Sequence, residues 1–273
     1  MAAPIDRYIP ALSFKWLTPL YDPLLKWGMR EETFKRRLIA QARIWPGASI
    51  LDLGCGTGTL TILVKQSVPD ADVTGVDGDL QVLHIAAGKA AQAGVPINWD
   101  HALAFALPYQ DSSFDRVLSS LVIHHLTGEN KRKAFREVFR VLRPGGECHI
   151  VDFGPPHSPG MWLMSRVMRN LEEGEDNFDG RLPEMLAEAG FEGAVEVVHM
   201  STLFGPISLL QAIRPSETFT VCGGKIKDPG RYPSAIFRGE MVHFCTRACL
   251  GVFESDPERF MSGEIEHPTD EDE

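Results

Sequence analysis

Ile50-Leu51-Asp52-Leu53-Gly54-Cys55-Gly56-Thr57-Gly58 decides how this chain folds. An apolar strand carrying one acid, Asp52, runs directly into three alternating glycines. Nineteen residues after the last of them, Asp77 closes a second strand, Val73-Thr74-Gly75-Val76. A glycine loop with a downstream carboxylate is how a βαβ unit holds a nucleoside. Glycine lets backbone pass close under a ligand because no Cβ intervenes. A carboxylate at the tip of the second strand can accept hydrogen bonds from both ribose hydroxyls.

Outward from that segment, strands and helices alternate, which predicts a parallel sheet with helices on both faces. Strands are expected at Ser49 to Leu53, up to Asp77, at Ile97 to Trp99, Asp115 to Ser119 and Glu147 to Phe153. Closing strands follow at Glu196 to Thr202 and Ser208 to Ile213. Helices are expected at about Glu31 to Ala42, Thr59 to Ser67, from Asp79 to Gly94, and over Lys131 to Leu142. Two more read as helical, Met161 to Leu171 and Arg181 to Ala189. The helix after Asp79 shows the 3–4 spacing of one buried face, in Leu80, Leu83, Ala87 and Ala90.

Composition bounds the function. The 273 residues are 44% hydrophobic and 23% charged, ordinary for a soluble globular protein. A net charge of −10 argues against broad binding to nucleic acid or anionic membrane. No apolar run reaches membrane-spanning length and the start lacks a signal pattern, so a cytoplasmic location is the default. Five cysteines, an odd count, argue against a secreted disulfide framework. The best boundary is Pro215-Ser216-Glu217. It divides the chain into an aromatic N-terminal cap (1–45, with Tyr8 and Tyr21), a nucleoside-binding domain (46–214), a cysteine module (218–262) and an acidic tail (263–273) expected to be disordered.

Two cofactor classes use a glycine loop plus acid: dinucleotides and S-adenosylmethionine. A dinucleotide fingerprint wants G-x-G-x-x-G with a helix N-terminus facing a pyrophosphate. Here the spacing is G-x-G-x-G and Asp52 stands at the loop entrance. That carboxylate would repel a pyrophosphate and attract an amino acid's ammonium group, so a nicotinamide dehydrogenase is discarded.

Leu51 to Gly58, Val76-Asp77, Leu107-Pro108-Tyr109, Ser113-Phe114-Asp115-Arg116-Val117 and Leu142-Arg143-Pro144-Gly145-Gly146 together resemble class I S-adenosylmethionine-dependent methyltransferases, in the branch related to ubiquinone and menaquinone C-methyltransferases. The resemblance runs from about 45 to 213. It implies an α/β fold with a seven-stranded Rossmann-like sheet whose last strand is antiparallel. It also implies that Gly54, Gly56 and Gly58 line S-adenosylmethionine, that Asp52 sits near its methionine part, and that Asp77, with Gly78, holds the ribose. Relatives often place an Asp five residues before the Pro of Leu-Pro to bind adenine; here that residue is Leu103. Either Leu103 packs the adenine beside the backbone N–H of Ala104, which is the favoured reading, or Asp100 takes the role.

Methyl transfer needs alignment and exclusion of water, and a base only where the acceptor must lose a proton. Ser119-Ser120-Leu121-Val122-Ile123-His124-His125 leaves strand four at the edge where such sheets bind ligands, placing Ser119 beside the cofactor. His124 and His125 either take a proton or orient a small-molecule acceptor, or they cap a strand-to-helix connection. Asp152, ending strand five, either faces the same crevice or is structural. Cys55 and Cys148 read as small buried residues.

Cys222, Cys245 and Cys249 form C-x22-C-x3-C, with the last two one helical turn apart. Three thiolates can converge on a soft cation such as zinc or Cu(I), with His243 or water as a fourth ligand. A reduced structural cluster is the alternative, and a Cys245–Cys249 disulfide a lesser one. Val221-Cys222-Gly223-Gly224, Phe237 to Cys249 and Phe253-Glu254-Ser255-Asp256-Pro257-Glu258 resemble the YHS/TRASH domain of metal-handling proteins. Two functions follow: a methyltransferase acting on a small molecule, or a metal-responsive binding protein that keeps the cofactor fold without turnover.

Overall fold

The structure, a computed structural model, describes residues 31–168, 174–202, 205–216, 218–226 and 229–265. The expected cap up to residue 30, including Tyr8 and Tyr21, and the acidic tail from 266 lie outside these residues, as does the end of the helix expected to reach Leu171. The chain divides into two units, Met1–Pro215 and Ser216–Glu273. No described helix is long and apolar enough to cross a membrane.

The first unit is built on β1 (Ser49–Leu53), β2 (Asp72–Asp77), β3 (Asn98–His101), β4 (Phe114–Ser120), β5 (Leu142–Phe153), β6 (Glu192–Thr202) and β7 (Gly205–Ile213). They form one seven-stranded sheet in the order β3-β2-β1-β4-β5-β7-β6. The first five are parallel, and β7 runs antiparallel to β5 and to β6. Both faces of a parallel sheet are covered by its crossover helices, so its strands are apolar on both sides. Alternate residues therefore enter different cores. Leu51, Val117, Ile150 and Leu210 join one, while Ile50, Leu118, Val151 and Leu209 join the other.

The second of those cores is closed by α1 (Glu31–Ala42) and α2 (Thr59–Ser67), through Phe34, Leu38, Leu60 and Val64. Burying a side chain the size of Phe34 or Leu38 is worth about 1.5–3 kcal/mol. α3 (Leu80–Ala93) starts where the Asp79 carboxylate accepts the Gln81 N–H and stops at left-handed Gly94. α4 (Gly128–Val141) begins three residues before the expected Lys131, because the Thr127 hydroxyl accepts the Asn130 N–H and sets the cap there. α5 (Pro159–Met168), α6 (Glu175–Phe178) and α7 (Leu182–Glu188) follow β5.

Strand ends also differ from expectation. β3 is shifted to Asn98–His101, and β5 reaches back to Leu142 through a register shift opposite Phe114 and Arg116. β6 starts four residues early, at Glu192, because two irregularities absorb the extra length. One lies between Glu192 and Val195, the other between Glu196 and Val198.

In the second unit, β8 (Thr218–Phe219) pairs with β9 (Lys225–Ile226), and β10 (Ser234–Phe237) with β11 (Glu240–His243). α8 (Arg247–Ser255) and α9 (Pro257–Met261) complete it around Phe244, Cys249, Phe253 and Phe260.

Candidate active site

The glycine loop joins β1 to α2, and its three glycines are required for different reasons. A Cβ on Gly54 would sit 2.5 Å from both methyl carbons of Val122. One on Gly58 would meet Trp99 at 2.6 Å and the Ala86 Cβ at 2.9 Å. Those two answer to the protein's own packing. Gly56 has φ +53° and nothing within 4 Å of where a side chain would be, so its left-handed backbone selects glycine and leaves room beside it. Its N–H donates to Asp77 Oδ2 at 2.8 Å, and the Asp79 N–H donates to Oδ1 at 2.9 Å. Burial pushes the Asp77 pKa up although these N–H groups pull it down. Lys89 Nζ donates to the hydroxyls of Thr57 and Thr59 at 3.1 and 3.0 Å, bracing the loop from α3.

Asp52 lies buried under the loop. Its Oδ2 accepts the Thr61 hydroxyl at 2.6 Å, and its Oδ1 has no partner among the described residues. Burial, opposed by the Thr61 hydrogen bond, pushes its pKa up to about 6.

At the exit of β4 the chain turns sharply. Leu121 takes φ +58° while its N–H still donates to Val151 O at 2.8 Å. A 3-10 turn, Ile123–His125, follows. Asp152, fully buried at the end of β5, gathers this turn. Its Oδ2 accepts the N–H groups of Val122 and Ile123 at 3.0 and 2.8 Å. Its Oδ1 accepts His124 Nδ1 at 2.7 Å, the Phe153 N–H at 2.7 Å and Asn177 Nδ2 at 3.1 Å. Burial alone would raise the pKa of this carboxyl, but His124 and the Phe153 N–H hold it below its ordinary value. The His125 ring packs 4.0 Å from that of His124. Burial, and then the His124 charge, press its pKa down to about 3, so it is neutral at physiological pH.

Residues 50–146 match a family model described as a methyltransferase domain. A demethylmenaquinone methyltransferase of Thermus thermophilus is 34% identical over 157 residues, covering 56% of this chain and 70% of that protein. This chain belongs to the S-adenosylmethionine-dependent methyltransferases. A demethylmenaquinone methyltransferase of Listeria monocytogenes is 28% identical over 218 residues, covering 68% of this chain and 88% of its own length. Among solved structures, the [4+2]-cyclase SpnF superposes with a TM-score of 0.60 at 18% identity, over 73% of this chain and 93% of that one. Phosphoethanolamine N-methyltransferase 2 of Haemonchus contortus, bound to S-adenosylmethionine, gives 0.56 at 17%, over 67% and 53%. Those two likenesses concern the fold alone.

The methyltransferase's own residues fit its cofactor. The open backbone at Gly56 admits a ligand, and the Asp52 oxygen without a partner among the described residues can accept from a cation or donor. Not every expected residue presents its side chain. The Ser119 hydroxyl donates to Leu53 O at 3.1 Å, so it ties β4 to β1. Asp100 accepts the Tyr109 hydroxyl at 3.0 Å, and Gly78 O lies 3.1 Å from His101 Nε2. Leu103 makes a β-bridge to Ala106, with Ala104 half-buried in the turn between them. Four contributors were not foreseen: Thr61, Trp99, Val122 and Asn177. Trp99 packs against Gly58 and Gly75. Asn177 comes from a segment whose sequence carries no chemical signature.

In the second unit, Cys222 Sγ lies 3.2 Å from Cys245 Sγ and 3.8 Å from Cys249 Sγ, and the last two are 3.2 Å apart. The Thr246 hydroxyl caps α8 by accepting the Cys249 N–H, which brings the i, i+4 pair together. His243 is not in this cluster; its Nδ1 is buried without a partner among the described residues. No disulfide joins any of the five cysteines, all of which lie among the described residues. Cys148, with its pKa pushed up to about 12 by burial, and the buried Cys55, also raised, are poor nucleophiles.

Proposed function

We propose that the enzyme methylates a small hydroxylated aromatic acceptor of the reduced-quinone type. The names of its relatives support that class. The observation that carries the reading is the placing of His125 on a turn that Asp152 anchors and whose Val122 packs against Gly54 of the glycine loop. S-adenosylmethionine, when bound, supplies a methyl group already activated on a sulfonium sulfur. Gly54, Gly56 and Gly58 present backbone to it, Asp77 and Gly78 take the ribose, Asp52 faces the cationic amino-acid end, and Leu103 and Ala104 pack the adenine. His125 accepts a hydrogen bond from an acceptor hydroxyl. With a pKa of about 3 it is a weak base, so its contribution is orientation more than proton removal. Asp152 and His124 are positioning residues.

Incubation with S-adenosylmethionine and a short-chain reduced demethylmenaquinone is expected to yield S-adenosylhomocysteine, a proton released to solvent and a product in which methyl replaces one hydrogen (a gain of CH2), the two products in equal amounts by mass spectrometry. Tight cofactor binding with no turnover on a panel of quinols would instead favour a metal-responsive binding protein, which the thiol cluster supports.

Cofactor affinity is expected to depend on pH through Asp52. With its pKa near 6, this acid is protonated below that pH in the empty site, and a cation beside it favours the ionised form. Binding then displaces a proton, so calorimetric affinity falls about fivefold between pH 6 and pH 5, and Asp52→Asn removes this dependence. For folding, the stability this group contributes is present below the ordinary carboxylate range and lost as pH rises through about 6.

We further propose that Cys222, Cys245 and Cys249 bind a soft metal ion, zinc or Cu(I), as in the YHS/TRASH domains the segment resembles. Their three sulfurs lie within 4.8 Å of one another. Elemental analysis of the purified chain is expected to find thiol-bound metal, and Cys245→Ala is expected to lower the metal content by that one ion.

A further inference from the structure

β6 is the edge strand of the sheet, and along a regular strand residues three apart point to opposite faces. Glu196 and His199 do not. Glu196 pairs with Leu210, the next paired residue, Val198, takes Leu209, and His199 takes Ser208. Val197 is the extra residue of a bulge, and the bulge carries Glu196 and His199 onto one face. His157, from the segment between β5 and α5, meets them there. Its Nε2 lies 3.0 Å from Glu196 Oε1, and His199 Nδ1 lies 3.7 Å from the same oxygen. The two imidazoles stack with centroids 4.0 Å apart and planes at 24°. One ligand atom from each residue falls within a 4.8 Å span.

We propose that His157, Glu196 and His199 form a site for one divalent transition ion of the zinc class. Two imidazole nitrogens and a carboxylate oxygen are the donor set of borderline cations. Three protein ligands leave a coordination position for water or an exogenous oxygen, and both histidines are exposed, so the ion has an entry path. The pairing also fixes where the site lies. His199 pairs with Ser208, and Ser208 with Asp152, so the three stand in one row across β6, β7 and β5. At the usual strand spacing, His199 is about 10 Å from Asp152 on the same face of the sheet. The ion clamps the segment leaving β5 to the edge strand, beside the turn that carries His124 and His125. This site is separate from the thiol cluster and needs neither that cluster nor any particular methyl acceptor.

Cobalt(II) distinguishes the two sites in the full-length chain. Thiolate ligation gives intense near-ultraviolet charge-transfer absorption, whereas a nitrogen and oxygen site gives only weak visible bands. The wild type is expected to bind two ions, one of each type. His157→Ala, His199→Ala and the near-isosteric Glu196→Gln each remove the second type, weakening it more than about 100-fold, beyond what losing an outer-shell partner costs. A Cys245→Ser/Cys249→Ser variant is expected to keep the weak visible bands and to be stabilised against heat by zinc, a gain absent when His199→Ala is added. Two ions retained unweakened by all three variants of the new site, or no ion bound by the cysteine variant, would overturn the inference. Loss of only the charge-transfer band in the wild type would sink the thiol reading and leave this one standing.

Discussion

Asp152→Ala is expected to lower the melting temperature on the order of 10 °C and turnover about 100-fold. The carboxylate receives five donors, from Val122, Ile123, His124, Phe153 and Asn177. Removing it leaves those groups buried without an acceptor, and breaking such a charged network costs about 3–5 kcal/mol. The loss falls on the turn that carries His125, so under the proposed role turnover is expected to fall in the molecules that remain folded. Asp152→Asn offers one oxygen in place of two and should fall between the extremes. Thermal unfolding by circular dichroism, with turnover measured well below the transition, separates the two effects. An alanine variant that melts within about 2 °C of wild type, where even a 1 kcal/mol loss would move it that far, would contradict this role.

The largest effect on binding is expected from Asp77→Ala, which should weaken S-adenosylmethionine about 1000-fold in calorimetric titration. Two hydrogen bonds from ribose hydroxyls to an ionised acceptor contribute about 1.5–3 kcal/mol each. The same carboxylate already holds the N–H groups of Gly56 and Asp79, and each oxygen has a second lone pair to offer a ligand. Its loss is therefore expected to remove the proposed contacts to the nucleoside and to loosen the loop at once. Asp77→Asn keeps one acceptor and should weaken binding less. Affinity within threefold of wild type for the alanine variant would show that the ribose is held elsewhere.

Much of the frame was legible because its signals are local. The apolar strands β1 and β2, the Asp79 and Gly94 caps and the glycine loop are each encoded within a few residues, and they fall where the sequence puts them. The loop's place between β1 and α2 was legible too, but not its division of labour. That Gly54 makes way for Val122 and Gly58 for Trp99 depends on residues dozens of positions away. Nor could spacing reveal that Asp152 serves the backbone of another strand's exit, or that Asn177 reaches it across the fold. Asp52 was read as a charge at the loop entrance; burial makes it a carboxyl that titrates near pH 6. The His157–Glu196–His199 cluster left no trace in the pattern, because a period-two reading of β6 puts Glu196 and His199 on opposite faces.

The two breaks in the pairing of β6 have a consequence for how this protein behaves at high concentration. An outermost strand with a regular backbone is a template on which a neighbouring chain can add its own, the first step toward fibres. Val195 and Val197 are both exposed along this border and would favour such growth. With the rhythm of its amide groups interrupted twice within a few residues, the border matches a straight incoming strand poorly, which disfavours stacking from that side.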